Sequence, residues 1–313
     1  MALAWSISAL TACGSSTSSQ THRAPASTAA STSGAPASNG TANGPSVLTA
    51  PVEVAHTKLG AVGYRMLGSG PPLVLVNGIG ATMEDWYPAF VDDLARIRRV
   101  IVFDNAGIGK TQALPAPLTI GKMADQTSAL IVRLGLHSPD VLGWSMGGMI
   151  AQALAAQHRG QVRRLVLCAT QAGTGRAIAP PLAAARSVLS GSPAAVLAAL
   201  FPAGQGAAER AYVTGILSYP QRTVAPRATP LSQSRAIGGW LRGAEPAGMG
   251  IARAGVPALV ADGTLDALDP LANAHQLAAL IPHSQLVVYP GAGHAFLFQD
   301  QATFVPRLES FLR

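Results

Sequence analysis

The stretch VLGWSMGGMIAQ (141–152) sets Ser145 two residues after Gly143 and two before Gly147, with a further glycine at 148. A serine hydroxyl is a weak nucleophile near neutral pH. It needs a base to take its proton and a carboxylate to orient that base. In a chain with 33 glycines the bare Gly-x-Ser-x-Gly pattern is common by composition, so its surroundings must carry the reading. An apolar strand-like run (140–142) precedes Ser145, and a helical pattern, Met146–Gln157, follows it. A strand turning sharply into a helix brings the two backbones too close for a Cβ, and glycines at 143, 147 and 148 meet that need.

A nucleophile of this strand–turn–helix kind is followed in the chain by its acid and then by its histidine. Of the seven histidines, His294 lies in a Gly-rich loop, YPGAGHAF, directly after the last strand-like run. His22 falls in a low-complexity segment, His56 precedes the core, and His137 and His158 read as helix-end residues. His275 sits in a helical pattern and His283 in a turn beside Pro282. The acid is chosen from VADGTLDALDP. Asp266, out on the loop, is the first choice, and Asp262 at the strand end is the alternative, while Asp269 before Pro270 reads as a helix cap. Two N–H donors for a tetrahedral oxyanion are expected from Met146, directly after the nucleophile, and from Ile79 in the loop NGIGAT.

The elements around these residues alternate. Apolar runs at 52–56, 61–67, 71–78 (ending in a glycine turn), 99–104, 140–143, 163–169, 256–263 and 284–291 read as strands, the first two as a hairpin about Gly60. The later runs are continuous rather than alternating, as in a parallel sheet covered on both faces. Helical patterns lie between them; in 120–134 one apolar face is capped by Thr119 and stopped by Gly135. The expected fold class is α/β, a mostly parallel doubly wound sheet over 51–170 and 254–313. The Ala-, Pro- and Gly-rich stretch 171–253 has short helical pieces and no convincing strand, and reads as an inserted helical lid. Its Leu182, Val188, Leu197, Phe201, Tyr212, Ile216 and Trp240 either line an apolar acyl or alcohol pocket or pack the lid onto the sheet.

The front of the chain differs in kind. Leu10-Thr11-Ala12-Cys13 has the pattern of a bacterial lipobox, which makes 1–13 a lipoprotein-like signal with Cys13 as the lipidated residue. The MALAWSISAL start lacks the basic residues of a secretory signal; the protein is cytoplasmic if this segment is not one. Residues 14–50 are Ser, Thr, Ala, Gly and Pro with almost no large apolar side chain, the composition of a disordered tether. The expected location is the extracytoplasmic side of the cell envelope. Of 313 residues 49% are hydrophobic, enough for a large core, and the formal charge is +7. The arginines are scattered without a basic stripe or interleaved aromatics, which argues against a nucleic-acid partner. Cys168 lies in an apolar run and reads as a buried thiol. DNAGIGKT mimics a phosphate loop but has Asp104 where that loop needs glycine, and no helix follows.

The order VLVNGIG, VIVFDNAGIGKT, VLGWSMGG, LVADGTLDALDP, YPGAGHAF resembles the α/β-hydrolase superfamily over roughly residues 52–313. It is most similar to lid-bearing serine hydrolases: esterases, enol-lactonases, cofactor-free haloperoxidase-like enzymes and C–C bond hydrolases. The resemblance implies a triad of Ser145, Asp266 and His294, structural aspartates at Asp104 and Asp125, and neither metal nor organic cofactor. The chain departs from the family at Asn77-Gly78, where His-Gly is usual, and at Ala106, where Arg is common. The expected activity is hydrolysis of a carboxylic ester or lactone through an acyl-enzyme. The alternatives are acyl transfer, C–C hydrolysis or haloperoxidase-like chemistry with the same triad, or a catalytically silent binding lipoprotein.

Overall fold

A computed structural model describes residues 44–313. Cys13 and the expected signal lie outside the described residues. Residues 46–50, expected to belong to a disordered tether over 14–50, are ordered. Ser46 O accepts the N–H groups of Thr49 and Ala50 in a tight turn. Val47 N–H donates to Asp92 Oδ1 at 2.7 Å, and the Val47 side chain is fully buried. Val47, with its anchored amide, and the buried Ala50 seat this turn on the core.

Eight strands form one sheet in the order β1-β2-β4-β3-β5-β6-β7-β8. They are β1 (Glu53–Thr57), β2 (Gly60–Leu67), β3 (Pro72–Val76), β4 (Arg99–Phe103), β5 (Asp140–Trp144), β6 (Leu165–Cys168), β7 (Ala258–Gly263) and β8 (Gln285–Tyr289). The hairpin β1–β2 and its junction with β4 are antiparallel; every other pairing is parallel. β5, β6 and β7 are buried along their whole length because helices cover both faces. Winding reverses at β3, with β4 on one side and β5 on the other. The carboxyl ends of β3 and β5 therefore open a crevice at the switch point, where α/β sheets place their ligands.

One face carries α2 (Ile120–Arg133), α3 (Met146–Gln157) and α9 (Leu271–Leu280). Thr119 Oγ1 accepts the N–H of Lys122 at 3.1 Å, and Gly135 leaves α2 with φ +63°. The other face carries α1 (Pro88–Ala95), α10 (Phe296–Gln299) and α11 (Gln301–Leu312), around Trp86, Phe90, Phe296 and Phe304. At the amino ends of the strands, buried Arg98 donates from Nε to Glu309 of α11 and from Nη1 to Asp140 at the start of β5.

Between β6 and β7 the chain forms α4 (Leu182–Leu189), α5 (Pro193–Leu200), α6 (Gly206–Leu217), α7 (Ala228–Leu241) and α8 (Pro246–Gly250), with no strand among them. Phe201, Tyr212, Ile216 and Trp240 are buried and join the core clusters. Tyr212 stacks on Phe298 and donates to the Asp85 carbonyl at 3.0 Å. Trp240 Nε1 donates to the Gln171 carbonyl at 3.2 Å. These four side chains fasten the insertion to the sheet. Leu182 is 64% exposed, and α4 buries no residue.

The glycines of the β5–α3 turn are steric requirements. A Cβ at Gly147 would overlap the Val76 carbonyl, and one at Gly143 would overlap the Gly147 carbonyl. Gly239, inside α7, has nothing within 4 Å of the same position. Gly147→Ala is therefore expected to lower stability by about 3 kcal/mol or more. Gly239→Ala is expected to raise it by about 0.5–1 kcal/mol. Urea unfolding of the two variants checks both signs.

Candidate active site

Ser145 stands at the tip of the β5–α3 turn with φ +59° and ψ −124°, a backbone conformation that a side-chain-bearing residue adopts only when its surroundings impose it. They do so here through three bonds. Ser145 N–H donates to Cys168 O at 2.9 Å, and Ser145 O accepts from Gly148 N (2.9 Å) and from Thr170 Oγ1 (2.8 Å). Ser145 is half-buried between fully buried neighbours, and its hydroxyl does not cap α3. The turn presents the Oγ at the carboxyl end of the sheet instead of spending it on the backbone.

His294 follows β8 and is almost fully buried. Trp144, the residue before Ser145, donates from Nε1 to the His294 carbonyl at 2.9 Å, and the two rings lie 5.7 Å apart. That bond ties the histidine loop to the serine turn across 150 residues of chain. His294 Nδ1 meets Asp266 Oδ2 at 2.7 Å. An ionised aspartate only accepts, so the ring proton belongs on Nδ1 and the Nε2 lone pair is left for substrate chemistry. Asp266 is itself held by the N–H groups of Leu268 and Asp269, both at 2.7 Å to Oδ1. Of the acids the sequence offers, Asp266 is thus the one against the imidazole; Asp262 binds the N–H of Gly263 through Oδ1. Asp269 does not cap α9, but accepts from Asn273 Nδ2 at 2.7 Å. The structure brings Asp266 and His294 into direct contact. Among the described residues, Ser145 Oγ makes no hydrogen bond to His294, a contact that in such sites tightens on substrate binding.

The electrostatics follow from burial. Burial works against a charged His294, but the charge and hydrogen bond of Asp266, with the charge of Asp269, outweigh it and hold the pKa above the ordinary 6.5. Burial, reinforced by the Asp266 charge, pushes Asp269 up to about 7, against the Asn273 hydrogen bond and the attraction of His294. Burial likewise pushes the Cys168 thiol well up, so it stays protonated and inert.

The N–H groups of Ile79 and Met146 find no acceptor within the described residues. Met146 opens α3, so its amide has no partner earlier in the helix. The Ile79 loop is shaped by residues that the sequence did not single out for this purpose. Asn77 Oδ1 accepts the N–H of Gly78, Asn77 Nδ2 donates to the Thr82 carbonyl, and Asn105 Nδ2 donates to the Asn77 carbonyl. Gly80 N–H donates at 2.7 Å to Oε1 of Gln233, a fully buried residue of α7. No local sequence signal pairs positions 80 and 233. Asp104 accepts the Met83 N–H at 2.7 Å, and burial pushes its carboxyl up to about 7. Asp125 pairs with His158 at 2.8 Å, both partly exposed.

Residues 71–195 match the family model described as alpha/beta hydrolase fold. The chain is 30% identical over 257 residues to a pimeloyl-(acyl-carrier protein) methyl ester esterase of Chromobacterium violaceum, covering 79% of this chain and 96% of that one. It is 28% identical over 253 residues to a poly(3-hydroxyalkanoate) depolymerase of Ectopseudomonas oleovorans, covering 77% and 84%. Among solved structures, the enol-lactonase of Burkholderia xenovorans superposes with a TM-score of 0.65 at 26% identity, over 83% of this chain and 99% of that one. Sheet order, serine turn and these likenesses converge: the chain is an enzyme of the α/β-hydrolase family.

Proposed function

We propose that the protein is a serine hydrolase of carboxylic esters or lactones, with Ser145 as nucleophile, His294 as general base and acid, and Asp266 as the residue that orients the imidazole. The observation that carries this reading is the 2.7 Å Asp266–His294 pair, tied through Trp144 to a strained, half-exposed Ser145. In the reaction His294 Nε2 takes the hydroxyl proton as Ser145 Oγ attacks the carbonyl. The amides of Ile79 and Met146 stabilise the resulting oxyanion, and removing one such donor costs about 10²–10³ in rate. The imidazolium returns its proton to the leaving alkoxide; a water activated by His294 then releases the acid. Likeness to an esterase and an enol-lactonase supports an ester or lactone carbonyl as the substrate centre. A cell-envelope location through lipidation of Cys13 belongs to the same proposal and rests on the lipobox pattern. Cys13→Ala should then move the protein from the membrane to the soluble fraction, and an unchanged distribution would refute anchoring.

Hydrolysis of p-nitrophenyl butyrate and of an enol-lactone tests the activity. Ser145→Ala should lower kcat by about four orders of magnitude or more while leaving the unfolding midpoint within a few degrees. Loss of less than about tenfold would exclude Ser145 as the nucleophile. The base must be neutral to act, so kcat/KM should rise with pH through the His294 pKa, its midpoint above 6.5. Asp269→Asn removes a charge that favours the imidazolium and should move that midpoint to lower pH.

A further inference from the structure

Behind the Asp266–His294 pair lies a carboxyl group that the proton transfers above do not use. Asp262, near the end of β7, is fully buried. Its Oδ1 accepts the Gly263 N–H at 2.8 Å, while its buried Oδ2 receives no N–H from the described residues. The Asp266 side chain, four residues on, is also closed to solvent, and the two carboxyl groups act on each other. Two buried carboxylates so placed do not both stay ionised away from water, and a shared proton relieves them. Asp266 already accepts from Leu268, Asp269 and His294, which makes it the better place for the negative charge. Asp269 and the Cys168 thiol also act on this cluster.

We propose that Asp262 is a neutral carboxylic acid whose Oδ2–H donates to the Asp266 carboxylate, a fourth, positioning residue that sets the basicity of Asp266 and through it that of His294. The proton it shares draws charge from Asp266 and weakens the hold of that carboxylate on the imidazolium. With Asp269 also close, an unmoderated pair of carboxylates would hold His294 protonated further up the pH scale. Burial, then the charges of Asp266 and Asp269, push Asp262 up to about 11, which leaves it protonated wherever His294 titrates. The consequence for rate rests on the triad reading above; the protonation state does not.

Two measurements on the intact protein test this without a substrate. Infrared difference spectra at about pH 8, wild type minus Asp262→Asn, should contain the carbonyl band of a protonated carboxylic acid, although ordinary carboxylates are ionised there. Absence of the band overturns the proposal. The second measurement is the pH titration of the downfield Nδ1–H proton resonance, assigned to His294 by its loss in His294→Ala. Asp262→Asn keeps a neutral donor and should leave the midpoint within about 0.3 unit, whereas Asp262→Leu, of like shape but without a donor, should raise it by about one unit. A fall in both variants would mean that Asp262 is ionised in the native protein; no change in either would mean that it does not act on His294. Either result overturns the proposal. If Asp262→Leu does not fold, the infrared band and the Asn titration decide. A catalytically silent protein would still give both readings, so failure of the triad reading is seen separately, as intact spectroscopy without turnover.

Discussion

The contact on which the site depends contains no side chain. Gly147 lies against the Val76 carbonyl where α3 crosses the end of β3, and Gly143 lies against Gly147. Because neither has a Cβ, β5 can turn into α3 within one residue, and that residue is forced to φ +59°. The strain at Ser145 is sustained by the parallel pairing of β5 with β3 and β6 on either side. The same crossing leaves the Met146 amide without a partner among the described residues, so the hydroxyl of half-exposed Ser145 and this open amide arise from one backbone constraint.

A second layer holds these groups in register. Trp144 pins the histidine loop, Gln233 reaches from the inserted helices to the Gly80 amide, and Thr170 fixes the Ser145 carbonyl. The insertion thus helps to hold the Asn77–Gly80 loop in place, independent of any contact with substrate. Burial of three aspartates around one histidine is costly unless protons and hydrogen bonds are shared among them. In the arrangement found, Asp266 is rich in donors and Asp262 poor in them, and the charges of Asp266 and Asp269 both act on His294.

Much of this was legible in the sequence because it is local. Continuous apolar runs give buried parallel strands, Thr119 and Gly135 mark the ends of α2, and Gly-Trp-Ser-Met-Gly-Gly encodes a turn that only glycines permit. His294, chosen by its place after the last strand, and Asp266, chosen by its freedom on a loop, lie in direct contact. What the sequence hid is non-local or too small to register. Nothing near Gly80 announces Gln233, and Trp144 reads as a strand residue until its indole is seen on the His294 carbonyl. The ordered turn at 46–50 hangs on Val47 and Asp92, a signal lost in a polar, Gly- and Ser-rich composition. The insertion's apolar residues could not be divided by sequence into packing and exposed sets; burial separates Trp240 from Leu182.

Covalent labelling tests directly, without any assumption about substrate, whether Ser145 is an activated nucleophile. A fluorophosphonate probe, mapped by mass spectrometry on wild type and His294→Ala, should modify Ser145 in the first and leave it unmodified in the second. A folded wild-type protein that stays unlabelled where a reference serine hydrolase reacts, or labelling of Ser145 that persists in His294→Ala, would rule out Ser145 as a nucleophile activated by His294.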